Sequence, residues 1–165
     1  MNGIGRTSFY FGAEIATTAA NTLEYIVTQA GKVVYTAKTR TTGGREGGAS
    51  RSSDGLLDIR LSTPGSARIG TNPEQLFAAS WSACFESAIV LAAHQRGIAL
   101  PAAVAIDAEL SLNLADDGYF LSTRLNVSLP GLKREVAQAL IDEAHQLCPY
   151  SKATRGNINV IINLV

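Results

Sequence analysis

An α+β fold with antiparallel strands is predicted by three features of this 165-residue sequence. Two segments of strict apolar–polar alternation flank Asp116-Asp117-Gly118, a nearly unbroken apolar stretch spans Leu76–Ala93, and an amphipathic stretch lies between Pro130 and Pro149. Alternation with a period of two marks half-buried strands, whereas long apolar or 3.6-residue patterns mark helices. The order, strands, apolar helix, hairpin, amphipathic helix and last strand, makes an antiparallel α+β domain.

In chain order, Leu23–Gln29 is a candidate strand, followed by alternation over Val33–Thr41 and over Leu56–Ser62, where Leu57, Ile59 and Leu61 point inward. The glycine-rich segment Thr42-Gly43-Gly44-Arg45-Glu46-Gly47-Gly48 joins the last two. The first helix opens with Thr71-Asn72-Pro73-Glu74, which combines a capping side chain, a proline suited to the first helical position and an early acid that favours the dipole. It ends near Gly97, with Pro101 beyond. Ile106, Ala108, Leu110, Leu112 and Leu114 then share one face of a strand, and Leu121, Thr123, Leu125, Val127 and Leu129 resume the pattern after the turn as a hairpin. A second helix follows Pro130-Gly131, with Val136, Ala139, Leu140 and Leu147 on one stripe, and Pro149 stops it. Asn157–Val165 forms the last strand. The reading places one domain over residues 23–165, with residues 1–22 as an N-terminal extension of unassigned role.

Fourteen Lys and Arg balance 14 Asp and Glu, and hydrophobic residues make up 46% of the chain. Zero net charge gives no footprint for nucleic acid or for an anionic membrane surface, and the apolar content excludes general disorder. Of the 18 residues in Leu76–Ala93, 14 are hydrophobic, a density that raises the possibility of a membrane span. Glu86 near its centre and three serines favour a buried helix instead. The first 20 residues mix Arg6, Tyr10, Gly12, Glu14 and threonines without the apolar run of a secretory signal, so the expected location is cytoplasmic.

Two cysteines cannot form the framework of a disulfide-rich secreted scaffold. Cys84 lies within the first helix, on the face that carries Phe77, Ser80, Trp81, Ser87, Ala88 and Leu91. Cys148 closes the second helix before Pro149-Tyr150, 64 positions later. Several roles fit these residue types. Two buried inert thiols are one; a metal held by His145 and Cys148 at helical spacing is another, although structural zinc normally takes two such pairs. An acyl-transfer thiol with His94 or His145 is a third. The last is redox chemistry, which makes a specific demand: a thiol of ordinary pKa is only about 3% thiolate at pH 7, so a peroxide-reactive cysteine needs a cation or donors. Neither cysteine is expected at a helix N-terminus, and Cys148 lies at the end where the dipole disfavours a thiolate, so a remote arginine is the suitable source. This ranks Cys84 as nucleophile and Cys148 as its resolving partner.

The segments Thr71-Asn72-Pro73-Glu74-Gln75-Leu76-Phe77-Ala78-Ala79 and Ser82-Ala83-Cys84-Phe85 resemble the organic hydroperoxide resistance (Ohr) proteins of the OsmC-like superfamily. So do Thr42-Gly43-Gly44-Arg45, Ser53-Asp54-Gly55-Leu56-Leu57-Asp58, Leu129-Pro130-Gly131-Leu132, Ala144-His145-Gln146-Leu147-Cys148-Pro149-Tyr150-Ser151 and Ala153-Thr154-Arg155-Gly156-Asn157. The resemblance runs from about Val33 to Val165. It implies an OsmC-like fold, with antiparallel sheets wrapped around central helices in an intertwined homodimer. It also implies a thiol peroxidase that reduces organic and fatty-acid hydroperoxides, with dihydrolipoamide or a lipoylated protein as donor and no bound cofactor or metal. Carried over by motif, Cys84 is peroxidatic, Cys148 resolving, Arg45 stabilises the thiolate and Glu74 orients Arg45; Phe77 and Trp81 are candidate substrate contacts. Glu74 and Cys84 lie ten residues apart, about 15 Å along an unbroken helix. For Arg45 to serve both, the helix must break or the site must use two chains. Trp81 and Glu86 depart from the expected Tyr and apolar residue, and Trp81 shares the Cys84 face, so the departure bears on substrate shape.

Overall fold

The computed structural model describes residues 31–165 and the backbone of two earlier strands, β1 (Glu14–Thr17) and β2 (Leu23–Ile26), which pair antiparallel. The rest of the 1–22 extension, and the 27–29 portion of the strand expected at Leu23–Gln29, lie outside the described residues. The chain divides into two compact units, residues 1–37 and 38–165. In the first, the alternation at Val33–Tyr35 forms no strand: Val33, Val34 and Tyr35 are 77%, 94% and 77% exposed. The strand expected from Val33 therefore begins only at Thr39, because no described neighbour offers those residues a ladder.

In the second unit, β3 (Thr39–Thr42), β4 (Ala49–Ser52) and β5 (Asp58–Arg60) form an antiparallel sheet in that order. A single helical turn, α1 (Gly44–Gly47), joins β3 to β4. The glycine-rich segment thus connects β3 to β4, a strand the sequence pattern did not reveal, rather than to the strand at Leu56–Ser62. Helix α2 (Pro73–Gln95) begins as expected: the Asn72 side chain accepts a 2.8 Å bond from the Gln75 N–H, and Pro73 occupies the first turn. At its other end Gly97 takes a positive φ of 63°, and the Ile98 N–H returns to the Ala93 carbonyl at 2.9 Å.

Strands β6 (Ala105–Ala115) and β7 (Gly118–Ser128) pair along their full length around Asp116-Asp117. Helix α3 (Arg134–Leu147), a short helix α4 (Pro149–Thr154) and β8 (Asn159–Leu164) follow. Here the structure departs from the expected all-antiparallel arrangement: β8 runs parallel to β7, since α3 and α4 form a crossover that brings the chain back in the same direction.

Helix α2 has the length and hydropathy of a membrane span, yet it sits at the centre of this unit. Its Trp81, Phe85 and Ile89 are fully buried against Leu125 and Val127 of β7 and Ile141 and Ala144 of α3. Burying each large side chain contributes roughly 1.5–3 kcal/mol. The opposite side of α2 is open and mixed, with Val90 and Leu91 about half exposed and Ala79 and Ala83 exposed beside Glu86, Ser87 and His94.

Candidate active site

The two cysteines are brought together by the packing of α2 against the junction of α3 and α4. Both are free thiols, and the Cys148 Sγ–H lies 3.5 Å from Cys84 Sγ. Cys148 is fully buried and Cys84 only partly so, which leaves Cys84 as the sulfur open to a small molecule. Pro149 ends α3, as the sequence indicates, and also starts α4, so Cys148 is the C-cap of one helix and, against the expectation that neither cysteine is at a helix N-terminus, the N-cap of the next. The sequence reading missed α4 because six residues carry too little periodicity to register.

This short helix changes the electrostatics of Cys84. Burial pushes its thiol pKa up and the neighbouring Cys148 adds to that, whereas a hydrogen bond from the Tyr150 backbone N–H, in the first turn of α4, favours the thiolate. The thiol therefore has one backbone donor that the sequence reading did not find. Burial still dominates, so the requirement for a cation stands.

Arg45 and Glu74 are also brought together. The Arg45 guanidinium donates to both Glu74 carboxylate oxygens, at 2.6 and 2.5 Å. Arg45 reaches out from α1, whose backbone is shaped by glycines: Gly43 and Gly44 have φ of 74° and 61°, and a Cβ on Gly48 would stand 2.1 Å from the Thr42 carbonyl oxygen. Glu74 is fixed in the first turn of α2 by the Asn72 cap. Because α2 is unbroken from Pro73 to Gln95, the ion pair and the Cys84 thiol lie about 15 Å apart along one helix. The four residues thus form two pairs within a chain, not one cluster. Beside the ion pair is a cavity of about 510 Å³ lined by Arg45, Glu74, Pro64 and Thr63 together with Leu110 and Leu112 of β6. The two leucines read in sequence simply as the inward face of a strand.

Phe77 and Trp81 line the Cys84 face of α2. Phe77 packs against Trp81 and against Tyr150, with ring centroids 5.5 and 5.7 Å apart. Trp81 is fully buried and its indole N–H points at Ser151 Oγ at 3.4 Å, so of the two aromatic residues Phe77 is the one with open surface. Leu91, expected on the same stripe, is exposed and lies outside the core contacts of Cys84. His94 is exposed near the end of α2. The His145 ring is 6.5 Å from that of Phe85, its Nδ1 is buried without a partner, and burial and Arg155 lower its pKa. Among the described residues neither histidine is hydrogen-bonded to a sulfur, the pairing an acyl-transfer thiol needs. Nor do the described residues include a group of three His, Cys, Asp or Glu able to hold a metal ion.

An α+β fold that places one open and one buried thiol within contact distance defines a class of proteins with a paired-cysteine site. The OsmC-like protein model matches residues 63–163, and the chain belongs to that family. It is 47% identical over 137 residues to the organic hydroperoxide resistance protein of Xanthomonas axonopodis pv. citri (strain 306), covering 81% of this chain and 96% of the relative. Among solved structures, the organic hydroperoxide resistance protein OhrB of Bacillus subtilis superposes with a TM-score of 0.76 at 40% identity, covering 81% of this chain and all of that one. An organic hydroperoxide resistance protein from Legionella pneumophila gives the same TM-score at 41% identity over 81% of this chain and 98% of its own.

Proposed function

We propose that this protein is a thiol peroxidase that reduces organic hydroperoxides to alcohols and so protects the cell, in the cytoplasm, against oxidative stress. The observation that carries this reading is the thiol pair itself, Cys84 open and Cys148 buried at 3.5 Å. The Cys84 thiolate attacks the O–O bond of the hydroperoxide; the alkoxide leaves and takes a proton to become the alcohol, and Cys84 becomes a sulfenic acid. The Cys148 sulfur then attacks Cys84, water leaves, and a disulfide forms, which forestalls further oxidation to the sulfinic state. A dithiol of the lipoyl type restores both thiols in two exchange steps and leaves as its cyclic disulfide. Fatty-acid hydroperoxides suit the aromatic wall of Phe77 over Trp81. No bound cofactor or metal takes part.

Arg45 supplies the cation and Glu74 holds its guanidinium. The unbroken α2 separates them from Cys84 of the same chain, which supports a homodimer in which Arg45 and Glu74 of one protomer meet Cys84 and Cys148 of its partner. The exposed Val90 and Leu91 of α2 and the exposed Val33-Val34-Tyr35 segment support such an intertwined dimer, each being apolar surface that a second copy can cover.

Intact mass after one equivalent of cumene hydroperoxide tests the reading. The expected result is a loss of two hydrogens mapped to a Cys84–Cys148 bond, reversed by dihydrolipoamide; an unchanged mass with free thiols would overturn it.

A further inference from the structure

The chain has zero net charge, but its charges are not evenly spread. In the β3-β4-β5 sheet, Arg40 stands directly opposite Arg51, which stands opposite Asp58, and Ala49 stands opposite Arg60. By the alternation of a strand, Lys38, Arg40, Arg51, Asp58 and Arg60 share one face, and all five are exposed. The other face carries buried Ser50 and half-buried Ile59. Four cations against one acid remain on the open face. Arg51 is bonded to Asp58 at 2.8 Å, and Lys38, Arg40 and Arg60 form no ion pair with a described acid.

Like charges directly opposite in a sheet are destabilising, so the Arg40–Arg51 pair works against the fold and is offset only on the Arg51 side, by its bond to Asp58. Departures of this kind collect at functional surfaces. The face is also continuous with the site, because β3 and β4 are the two strands joined by the α1 turn that holds Arg45. Its extent of three short strands, on a chain with no overall positive charge, suits a small acidic protein surface better than a long polyanion.

We propose that this cationic sheet face docks an acidic protein domain carrying the reducing dithiol, and so delivers that dithiol to the Cys84–Cys148 disulfide. The inference rests on the peroxidase reading above. In the exchange, one donor thiolate attacks Cys84, freeing Cys148 as a thiolate that takes up a proton. The second donor thiol then attacks the mixed disulfide, freeing Cys84, and the donor leaves as a disulfide.

The test compares the wild type with the double variant Arg40→Glu/Arg60→Glu, neither residue being part of the reacting site. Two donors are used, free dihydrolipoamide and a lipoylated domain with a pI below about 5. Surface electrostatics change association by about tenfold or more. The expected result is unchanged turnover with free dihydrolipoamide, and a kcat/KM with the acidic domain at least about tenfold lower, with loss of the steep salt dependence of the wild type. Direct binding of the oxidised protein to the acidic domain, by surface plasmon resonance, weakens in parallel whether or not turnover occurs. Equal turnover and binding of both proteins with the acidic domain would overturn the docking face, as would an equal loss with both donors. Binding of a double-stranded oligonucleotide or of anionic vesicles in place of the acidic domain would overturn it too. Absence of hydroperoxide consumption with either donor would instead sink the peroxidase reading, and the binding measurement would then decide the docking face by itself.

Discussion

Cys84 and Cys148, 64 positions apart in the chain, hold their sulfurs 3.5 Å from one another at the contact between α2 and the start of α4. A bonded pair needs about 2.05 Å, so disulfide formation asks for closure of roughly 1.5 Å, within the reach of side-chain adjustment at a helix junction. Replacing the buried partner separates the two chemical steps. In Cys148→Ser the first hydroperoxide equivalent is still consumed, but the product is a Cys84 sulfenic acid that further oxidant drives to the sulfinic acid. Dimedone trapping followed by mass spectrometry reads both species; a variant that turns over normally with dihydrolipoamide would contradict the assigned role.

Mixing two inactive variants asks whether Arg45 and Cys84 act across protomers. Arg45→Ala and Cys84→Ser, co-expressed with distinguishable tags, regain about a quarter of wild-type activity, because half the dimers are mixed and each mixed dimer has one complete site. A site built within one chain would recover nothing.

The Arg45 turn depends on Gly48, although its φ of −84° is ordinary. A Cβ there would meet the Thr42 and Gly44 carbonyl oxygens at 2.1 and 2.4 Å, both of them backbone atoms. Gly48→Ala therefore costs about 1–3 kcal/mol and displaces Arg45 from Glu74. Peroxidase activity at pH 7 falls while the thermal transition stays cooperative, as followed by circular dichroism alongside hydroperoxide consumption.

Stability falls on the acid side because of His145. Burial and Arg155 lower its pKa in the folded protein below the ordinary 6.5, so between those two values the unfolded chain binds more protons than the native one. The contribution of this residue is fully present above about pH 6.5 and declines as pH drops from there toward the folded pKa. His145→Gln flattens this part of a urea-midpoint profile against pH; an unchanged slope would assign the acid sensitivity elsewhere.

The β6–β7 hairpin and the two long helices were legible because their patterns repeat over ten or more residues and carry their own stop signals, Asp116-Asp117-Gly118, Gly97 and Pro149. Three short elements were not: α1, β4 and α4 are too short for a period, and their form is set by tertiary contacts. The direction of β8 was hidden for a related reason, since alternation marks a strand but not its partner. For the site, the cysteine, arginine and glutamate motifs named the candidates. What they could not supply was their grouping into two pairs within a chain, which follows from the unbroken α2, or the Tyr150 N–H, which exists only because α4 begins where it does.

The chain contains a single tryptophan. The fold places it one helical turn from the open thiol, packed at a tilt against Phe77, with its indole N–H directed at a serine three residues beyond the buried one. All indole emission therefore originates in the wall of the thiol pair. Closing the two sulfurs to bonding distance, three residues from Ser151, is expected to perturb that contact and the emission with it. The expected outcome is a change of emission on adding hydroperoxide, followed in stopped flow without a label; constant emission while the disulfide forms would contradict it.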